Sequence, residues 1–568
     1  MKKILKALTL ILALCQIVCS FAACKNDDGQ DEAVFELTSE LLSSYTIVVP
    51  KNDGDMKDVA TKLQGIVEKV VGKKLEIKTD KEADGVAEYE IYVGRVQRAE
   101  AELHYSSLKV DDYGFALEGK KLIILGHSAE NAEQGVMKLK LEVLDKANGG
   151  VLLKSGDKNV GGGSYEYANL TVNGVDISKY KIVFPYTGVK GESDAAKYIQ
   201  AWISEKTGYV VPIVSDEEAA GEYEIVIGES TRVSDGMRAE RSASGYKSGK
   251  AYIGVTGNSL WISGNSRTDF YMAFRKFISL MEESNDSLSF SLEKSKAFEV
   301  NQFSLSVMNY NVYYDLNEAK RNPDDVIVSV KEKNPDIFGL NEAGMDWISK
   351  FKADSDIAGA YACAEGKPVD NSTDASYNPV FYRKDKFELV EVATKWLSDT
   401  PDRMSKYKDA KHYKTFTYVI LKDKTSGEEL MYVNVHLDGS NDADAHSALK
   451  EVRKKQAEVL KSFAANYIEL PIIIGGDFNE GQSSGVISGM STNTRFKYCS
   501  SIADKTINIG TTDVNSEFTE RNDGAVFDYL FVTSDCITVQ KYEQWDNLVN
   551  GKYPSDHLPV CAEISIKY

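Results

Sequence analysis

Short apolar runs alternate with helical patterns along most of the chain, and two long stretches repeat the same order of runs. In the first stretch, "YTIVVP" is followed by "EYEIYVGRVQR" and then by "KLIILGHS". In the second, "YKIVFP" is followed by "EYEIVIGESTR" and then by "SLWISGNS". The matches begin at residues 45 and 180, 88 and 222, and 121 and 259. Three ordered matches at a nearly constant offset predict a duplicated domain.

Each copy also carries two amphipathic helical patterns, so each is predicted to run strand, helix, strands, helix. In the first long helix of the second copy, "SDAAKYIQAWISEKTG", Ser193 or Asp194 is the expected N-cap and Gly208 stands just past the expected end. The glycine-rich "SGDKNVGGGS" is typical of a linker or long turn between the copies. We therefore predict one small α/β domain over residues 41–155, and a linker with a second such domain over residues 156–300.

A third pattern, in which short β-rich runs alternate with helices, continues to the end of the chain. One of its runs is "LPIIIGGDFNEG", whose apolar part predicts a strand that is buried on both faces. Gly475 and Gly476 leave room for another part of the chain to come close. Asp477 and Asn479 then project from the strand end on one side, because side chains along a strand alternate with period two.

Other strands of this C-terminal domain, residues 301–568, also end in polar residues. These residues are Asn311, Glu342, His436, Asp438, Asp477, Asn479, Asp528, Asp556 and His557. Functional residues often collect at such ends, on loops that a rigid scaffold holds. For a single pair such as Asp477 and Asn479, a capped turn is the alternative, since Asx residues favour turns.

The N-terminal segment is typical of an export signal and not of a folded domain. Lysines precede an apolar run from Ile4 to Val18, and small residues then lead to a cysteine in "SFAACKNDDG". This pattern predicts a signal peptide over residues 1–23. No later segment approaches the roughly 20 apolar residues of a membrane span.

The end of this signal, "AAC", resembles the lipobox of bacterial lipoproteins, in which the cysteine is lipidated. Phe21 departs from the motif, which usually has leucine there. The resemblance implies a lipid anchor on Cys24, followed by a flexible tether over residues 24–40, so that the protein is held at the outer face of the bacterial membrane. Simple secretion with cleavage near Cys24 is the alternative.

Composition restricts the possible partners and the cysteine chemistry. The 568 residues carry a formal net charge of −19, which argues against nucleic-acid binding by a broad basic surface but is compatible with a small basic cleft. Four of the seven cysteines lie outside the N-terminal segment, widely spaced and without a CxxC pair. They are therefore expected to be free thiols and not a disulfide framework or a zinc site.

The strand-end motifs "SVMNYN", "IFGLNE", "MYVNVHLD", "IIIGGDFN", "FDYLF" and "SDH" resemble, in order and spacing, those of the endonuclease/exonuclease/phosphatase superfamily. That superfamily includes pancreatic deoxyribonuclease, abasic-site endonucleases, bacterial sphingomyelinases and inositol polyphosphate phosphatases. The resemblance implies a four-layer α/β/β/α sandwich for the C-terminal domain. The whole chain is thus predicted to be a multidomain α/β (α+β) protein, with two duplicated small α/β domains before the sandwich.

The resemblance also implies a role for each motif residue. The implied metal-site residues are Asn311, Glu342 and Asp556. The implied catalytic residues are His436, Asp477, Asn479, Asp528 and His557. Among these, His436 would contact the phosphate, and Asp477 with Asn479 would orient the attacking water and hold phosphoryl oxygens. Asp528 would be the carboxylate partner of His557, and Asp438 fits no role firmly.

Oxygen ligands without cysteine favour a hard cation, so Mg²⁺ or Mn²⁺ is the expected cofactor. The family usually has glutamine before its metal-binding glutamate, and here the residue is Asn341, whose shorter amide would alter support of the metal without removing a ligand. Arg383 in "NPVFYR" is either a phosphate ligand or a surface residue. His412 and His446 lack a motif and are expected at the surface.

The predicted function is an exported, surface-tethered, metal-dependent phosphoesterase that hydrolyses a phosphodiester, with nucleic acid, a phospholipid or a small phosphodiester as its substrate. The basic and aromatic loop "DTPDRMSKYKDAKHYK" would either grip a polyanion or be a solvated loop. "IVIGESTR" and "GNSLWISG" in the repeats resemble the small α/β domains that precede glycoside hydrolase barrels. That resemblance gives the alternative function, a cell-surface glycan-binding protein whose last domain is an inactive scaffold.

Overall fold

The computed structural model describes residues 34–81, 85–147, 150–188, 190–247, 249–292, 294–522 and 524–568. The chain divides into two compact units, Met1–Gly163 and Ser164–Tyr568. The predicted signal peptide over residues 1–23 and the predicted anchor at Cys24 lie outside the described residues. Within the ranges that are described, no helix is both long enough and apolar enough to cross a membrane.

The first unit is built around a six-stranded sheet. The first four strands are parallel to one another, and the last two pairings are antiparallel. In sheet order the strands are Ile77–Thr79, Thr46–Val49, Glu90–Val93, Lys121–Gly126, Tyr113–Glu118 and Lys158–Gly161. The helices are Ser39–Leu42, Gly54–Val71, Ala99–Tyr105 and Ala129–Glu142, with a 3₁₀ turn at Leu144–Lys146. Their apolar faces pack on the sheet, where Leu63, Ile91 and Leu139 are buried together.

Two predicted boundaries of this first repeat are wrong. The strand Lys158–Gly161 completes the six-stranded sheet, so the repeat extends past the predicted range 41–155 and part of the glycine-rich segment is not a linker. The strand Glu36–Thr38 pairs with Val151–Lys154, so the end of the predicted tether over residues 24–40 belongs to the fold. Both are short edge strands without an alternating apolar pattern, which is the signal that predicts a strand from sequence.

The second repeat has a sheet with the same strand order and the same directions. Its strands are Ile213–Ser215, Tyr180–Phe184, Tyr223–Ile227, Ser259–Ser263, Lys250–Thr256 and Lys296–Glu299. Its helices are Lys190–Thr207, Asp235–Ala243 and Arg267–Ser279, with a 3₁₀ turn at Ile177–Lys179. A smaller sheet beside it contains Val175–Asp176, Asn169–Val172, Ser287–Phe290 and Met281–Ser284. The identical order of the two six-stranded sheets supports the predicted duplication.

The first long helix of the second repeat differs from its prediction at one end only. It begins at Lys190, before the expected caps Ser193 and Asp194. It ends at Thr207, and Gly208 then adopts a left-handed backbone with φ of 77°, as expected for a glycine after a helix.

One aspartate occupies the same place in both repeats and ties two loops together. Asp80 accepts hydrogen bonds from the backbone N–H groups of Lys51 (3.0 Å) and Gln97 (3.1 Å). In the second repeat, Asp216 accepts them from Tyr186 (2.9 Å) and Thr231 (2.8 Å). The repeats therefore share these hydrogen bonds between an aspartate and two loops as well as a strand order.

The second repeat packs directly against the C-terminal domain within the second unit. Tyr271 Oη donates a hydrogen bond to the Ile468 carbonyl (3.1 Å), and Tyr198 Oη donates one to Asp535 Oδ2 (3.1 Å). The same carboxylate accepts a hydrogen bond from Arg495 Nε (2.8 Å). All five residues are buried or nearly so, and apolar side chains of both domains form one continuous core around them.

The C-terminal domain contains two mixed sheets. The first, in sheet order, consists of Tyr361–Ala364, Val380–Arg383, Ile337–Asn341, Gln302–Asn311, Val560–Lys567, Ile537–Gln544 and Lys505–Ile507. The second consists of Phe387–Trp396, Thr415–Asp423, Glu429–His436, Ile472–Asp477, Asp528–Thr533 and Phe496–Tyr498. The helices are Asp324–Lys333, Met345–Ala353, Ser355–Ala360, Ala443–Ala448, Lys450–Ala465, Gly485–Ser491 and Cys499–Ile502.

These elements stack in the predicted four layers. On the outer face of the first sheet, Val330 of a helix packs in one apolar cluster with Phe338 of a strand. On the outer face of the second sheet, Leu460 packs in another cluster with Ile474. The inner faces of the two sheets contact each other, which gives the order helix, sheet, sheet, helix.

The two glycines before the GDFN motif lie where other groups come very close. A Cβ atom on Gly475 would stand 2.6 Å from Tyr432 Oη, and one on Gly476 would stand 1.9 Å from the Val435 carbonyl oxygen. Tyr432 Oη donates a hydrogen bond to the Met308 carbonyl of the facing sheet (2.9 Å). Gly475 thus permits a tight contact between the sheets directly behind the strand end, and Gly476 permits the close approach of the neighbouring strand in its own sheet.

Candidate active site

Strand ends from both sheets of the C-terminal domain meet at one edge of the sandwich. In the second sheet, His436 is in register with Asp477, and Asp477 is in register with Asp528. In the first sheet, Asn311 is in register with Asn341. Asn311 Nδ2 donates a hydrogen bond across the sandwich to Asp477 Oδ2 (3.1 Å). The fold therefore gathers the predicted strand-end residues in one place.

Asp477 is a buried carboxylate at the centre of this site. Besides the bond from Asn311, its Oδ1 accepts the backbone N–H of Asn479 (2.7 Å). Its own backbone N–H donates to Asn341 Oδ1 (3.1 Å). Burial raises the pKa of Asp477 above its usual value, and the neighbouring Asp528 carboxylate raises it further. A carboxylate whose pKa lies closer to neutral is a better acceptor for a proton from water.

His436 lies beside Asp477 and accepts two hydrogen bonds at one ring nitrogen. Lys414 Nζ (2.9 Å) and Asn479 Nδ2 (3.1 Å) both donate to His436 Nε2. Burial lowers the pKa of His436 well below its usual value, and the charge of Lys414 lowers it further. The imidazole is therefore neutral, with its proton on Nδ1. The sequence did not point to Lys414, which precedes its strand and belongs to no strand-end motif.

His557 and Asp528 form the predicted imidazole–carboxylate pair. Asp528 Oδ2 lies 2.8 Å from His557 Nδ1, and the carboxylate is fully buried. Burial lowers the pKa of His557, but Asp528 and the further carboxylates Asp556 and Asp477 outweigh it and raise the pKa well above its usual value. This histidine is therefore protonated and can present its Nε2–H to a ligand.

The three residues predicted for the metal site lie around this centre. Glu342 Oε2 accepts the backbone N–H of Tyr314 (3.2 Å), and Asn311 Oδ1 accepts that of Tyr313 (3.1 Å). Asp556 precedes His557 in the chain and has a pKa raised by burial, with the charge of Glu342 adding to the effect. Ser555, which precedes Asp556, donates a hydrogen bond to the Asn311 carbonyl (2.7 Å), so this segment is held against the strand end.

Two of the site residues hold a left-handed backbone. Glu342 has φ of 57° and Asn479 has φ of 51°. This region is uncommon for residues other than glycine, and such strain is concentrated at functional sites. A Cβ atom on Gly439 would stand 2.5 Å from Asn479 Oδ1, so that neighbouring position has room only for glycine. The surrounding backbone fixes Asn479 closely.

Two overlapping groups of side chains could hold a metal ion. Glu342, His436 and Asp477 form one group, and Asp477, Asp528 and His557 form the other, with the ligand atoms of each group within 4.8 Å of one another. Asp528 Oδ1 is buried and has no hydrogen-bond partner, so it is a free oxygen donor. The carboxylate oxygens of these groups suit a hard divalent cation such as Mg²⁺ or Mn²⁺, and no thiolate is among their members.

Asn341, where the family usually has glutamine, is completely engaged. It is buried, and its Nδ2 lies within hydrogen-bond distance of Asn378 Oδ1 (3.0 Å), Asn434 Oδ1 (2.9 Å) and the Val435 carbonyl (3.1 Å). Because its Oδ1 also accepts the backbone N–H of Asp477, the shorter amide still supports the central carboxylate.

The basic loop before the strand Thr415–Asp423 contributes to the same site. His412 Nδ1 lies 2.9 Å from Asp438 Oδ1, and the backbone N–H groups of Lys411 (2.7 Å) and His412 (3.2 Å) donate to Asp438 Oδ2. The role of Asp438 is thus to hold this loop. His412 was expected at the surface without function; its ring is half exposed, but it lies in the cleft above the site.

The cleft has a volume of about 690 Å³. Its basic lining residues are Lys406, Lys411, His412, Lys414 and His436. Its acidic lining residues are Glu342, Asp370, Asp374 and Asp442. Tyr314, with 65% of its surface exposed, and Asn479 complete the part of the wall that adjoins the centre.

Arg383 and His446, which belong to no catalytic motif, lie away from this cleft. Arg383 forms hydrogen bonds with Asp385 (2.9 and 2.8 Å) and with Asn334 Oδ1 (3.0 Å), which identifies it as a structural surface residue. His446 stacks on Phe527 with ring centroids 5.8 Å apart, and it does not line the cleft.

Comparison with known proteins gives the family of the C-terminal domain. A profile of the Endonuclease/Exonuclease/phosphatase family matches residues 308–557. A search of curated proteins finds no match.

Three solved structures are similar to this chain over less than half of its length. A family protein from Bacteroides thetaiotaomicron is 24% identical, covers 47% of this chain and 99% of its own, and has a TM-score of 0.41. A mannosyl-6-phosphatase from the same organism is 23% identical, covers 46% and 99%, and has a TM-score of 0.40. Danio rerio TDP2, complexed with a single-strand DNA product, is 17% identical, covers 46% and 98%, and has a TM-score of 0.36. On the family profile, the C-terminal domain of this chain is a member of the endonuclease/exonuclease/phosphatase family, a domain of the phosphoesterase and nuclease type.

Proposed function

We propose that this protein is an exported, divalent-metal-dependent phosphoesterase that hydrolyses the phosphodiester bond of a compact substrate. The observation that carries the proposal is the convergence of Asp477, His436 and His557 at one edge of the sandwich. Each of these side chains is already held by hydrogen bonds from the fold. Such preorganisation is the main contribution that a protein makes to phosphoryl transfer.

Different residues of the site have different roles in the proposed hydrolysis. A divalent cation, held by Glu342 together with Asn311 and Asp556, would supply positive charge to the phosphoryl oxygens. Asp477 accepts a proton from the attacking water, since burial has raised its pKa. His557 donates its Nε2–H to a phosphoryl oxygen, while Asp528 holds the opposite ring nitrogen.

On the other side of Asp477, Lys414 binds the phosphoryl group, with His436 and Asn479 beside it. His436 Nε2 accepts hydrogen bonds from Lys414 and Asn479, so it fixes the directions of an ammonium and an amide. The remaining N–H groups of Lys414 are free to contact an anionic oxygen in the cleft. His436 thus acts by orienting these two donors, and Lys414 supplies the nearby positive charge. Burial lowers the pKa of Lys414, and the carboxylates of Glu342, Asp438 and Asp477 oppose that shift.

The charges of the cleft favour a compact substrate over a long polyanion. No arginine is among the described residues that line the cleft, and the acidic rim residues Asp370, Asp374 and Asp442 oppose its lysines. A nucleic acid needs cations along its path for the phosphates that flank the cleaved one. A small phosphodiester needs only the central site, and a volume of about 690 Å³ is enough for it.

Hydrolysis assays with purified residues 25–568 test this function. The substrates are bis(p-nitrophenyl) phosphate and supercoiled plasmid, each assayed with Mg²⁺, with Mn²⁺ and with EDTA. We expect metal-dependent hydrolysis of the small diester that is abolished by Asp477→Ala and by His557→Ala in folded protein. Efficient nicking of plasmid that the same variants lose would identify a nuclease. No hydrolysis of either substrate by the parent protein, or full activity of either variant, would refute the phosphodiesterase proposal.

Export and lipid anchoring at Cys24 are part of the proposal, supported by the lysine-rich start, the apolar run and "AAC". Metabolic labelling with a radioactive fatty acid in a bacterial host is the test, with Cys24→Ser as the control. Label on the parent protein that the variant lacks is the expected result, and unlabelled protein in the medium would indicate simple secretion. Glycan binding by the repeats stays a prediction, which retention of the protein on immobilised polysaccharide would test.

A further inference from the structure

The cleft contains a second imidazole–carboxylate pair besides His557 and Asp528. His412 Nδ1 lies 2.9 Å from Asp438 Oδ1. Asp438 is completely buried, while half of the His412 side chain is exposed in the cleft. The other oxygen of Asp438, Oδ2, accepts the backbone N–H groups of Lys411 (2.7 Å) and His412 (3.2 Å). A carboxylate held in this way binds the ring at Nδ1, so Nε2 is the ring nitrogen left for a group in the cleft.

The two pairs flank the reaction centre on opposite sides. In the second sheet, the strand Thr415–Asp423, which follows the His412 loop, is succeeded by the strands that carry His436, Asp477 and Asp528 at this same edge. Neighbouring strands are about 4.8 Å apart, so the His412 loop lies roughly 10 Å along the edge from Asp477. His557, held by Asp528, lies on the far side of Asp477.

This arrangement matches what an in-line displacement requires. In phosphoryl transfer, the attacking and leaving oxygens are on opposite sides of phosphorus. Asp477 and His557 serve the side on which water attacks, so the leaving oxygen points towards the loop that carries His412. His436 lies between them but cannot donate a proton from Nε2, since that nitrogen accepts hydrogen bonds from Lys414 and Asn479.

We propose that His412 is a further catalytic residue, which protonates the leaving oxygen of the substrate, and that Asp438 is its positioning residue. The proposal rests on the proposed phosphodiesterase function. When the bond between phosphorus and the leaving oxygen breaks, its electron pair stays on that oxygen, which takes the proton from His412 Nε2. The proton lost by the attacking water goes to Asp477. His412 is exposed enough to recover a proton from solvent before the next turnover.

The test is a comparison of leaving groups. The substrates are p-nitrophenyl methyl phosphate, whose phenolate leaves readily without a proton, and phenyl methyl phosphate, whose phenolate needs one. The variants, in the full chain with Mg²⁺ or Mn²⁺, are His412→Gln, Asp438→Asn and His446→Gln. His446 is the matched control, because it is a histidine of the same domain without a motif and outside the cleft. Thermal melting verifies that each variant is folded.

We expect His412→Gln to lower kcat/KM for the phenyl ester by about 100-fold or more, the usual contribution of a general acid, and to change the p-nitrophenyl ester much less. Asp438→Asn should show the same selectivity in weaker form, and His446→Gln should change neither ester. Equal losses on both esters, or no loss on either, would overturn the role of His412 while leaving the phosphodiesterase function intact. A parent protein that hydrolyses neither ester would overturn both proposals.

Discussion

Lys414 Nζ lies 2.9 Å from His436 Nε2, and this contact sets the protonation of the histidine. An ammonium has no acceptor, so the imidazole nitrogen must accept the bond and stay unprotonated. Asn479 Nδ2 donates to the same nitrogen at 3.1 Å. The first histidine of the site is therefore an anchor for two donors, and the positive charge near the phosphate belongs to Lys414.

Lys414→Met should remove that charge with little change in shape. We expect kcat/KM for a small phosphodiester to fall by about 100-fold or more, the scale found when one preorganised donor to a developing charge is lost. Lys414→Arg should recover part of the activity, because it keeps the charge but changes its geometry. Steady-state kinetics with bis(p-nitrophenyl) phosphate measure both variants.

Lys422→Met is the matched control for this substitution. Lys422 lies on the strand that follows Lys414, Thr415–Asp423, and is exposed and outside the cleft. We expect the kcat/KM of Lys422→Met to match that of the parent protein. If Lys414→Met were equally active, the ammonium would have no part in catalysis, and its bond to His436 would be structural only.

The His557–Asp528 pair predicts how stability without metal depends on pH. The pKa of His557 is raised well above its usual value in the folded protein, because Asp528 and its neighbours outweigh burial. The folded state therefore binds the proton more tightly than the unfolded chain does. The resulting stabilisation is complete below the unfolded pKa of about 6.5 and is lost as the pH rises through the raised value.

His557→Gln should consequently destabilise the EDTA-treated protein most at pH about 6, with a difference in Tm that shrinks as the pH rises towards 10. Differential scanning calorimetry over this pH range gives the measurement. His446→Gln, which removes a histidine that stacks on Phe527, is the control for the loss of an imidazole from the same domain. A difference for His557→Gln that grows with pH would mean that the histidine is neutral in the folded protein.

The sequence located the centre of this site because its residues directly follow apolar strands. Asp477 and Asn479 come after a run whose burial the pattern itself predicts, and the register then places His436 and Asp528 beside them. Neither the sheet order nor the crossing from Asn311 to Asp477 can be read from such a pattern. They follow from the packing of two sheets, which the family resemblance supplied in advance.

Lys414 and His412 escaped the sequence analysis for a physical reason. They lie in a loop without periodicity, and their positions depend on Asp438, which holds the loop from 26 residues further along the chain. The only sequence signal was that the loop is basic and aromatic, which a solvated loop also shows. The one further indication was Asp438, a buried strand-end aspartate to which the family resemblance gives no firm role and which therefore had to bind another part of the chain.

A surface that contacts another domain is equally hard to predict from sequence, as a comparison of the two repeats shows. In the second repeat, Tyr198 and Tyr271 have rings 6.1 Å apart and bond to the C-terminal domain. The caps and ends of the helices align these positions with Lys62 and Glu133 of the first repeat, which form a half-exposed ion pair (2.6 Å). The same helix face is thus aromatic where it packs and charged where it is solvated.

Tyr271→Phe should weaken the attachment of the second repeat to the C-terminal domain. It leaves the buried Ile468 carbonyl without its donor, so we expect the free energy of unfolding to fall by about 1 to 2 kcal/mol. Urea denaturation followed by tryptophan fluorescence measures the change. Lys62→Ala is the control from the first repeat, where an exposed ion pair contributes less than about 1 kcal/mol. Equal effects of the two substitutions would contradict a structural role for the buried hydroxyl.

Metal binding should change the sign of the effect that the substitution Glu342→Gln has on thermal stability. Without metal, its carboxylate repels those of Asp477 and Asp556, whose pKa values it helps to raise. Glu342→Gln should therefore melt at the same temperature as the parent protein in EDTA or slightly higher. With Mg²⁺ at about 100 times its dissociation constant, the parent protein gains about 2.7 kcal/mol. The variant should gain much less, so the order of the two melting temperatures reverses.

Glu388→Gln, on an exposed strand position of the same domain, is the control for loss of one negative charge. It should respond to Mg²⁺ as the parent protein does, because it lies outside the metal-binding groups. Thermal melting with EDTA, Mg²⁺ and Mn²⁺ compares the three proteins without any assay of activity. If Glu342→Gln gained as much stability from the metal as the parent protein, Glu342 would not be a ligand of the cation.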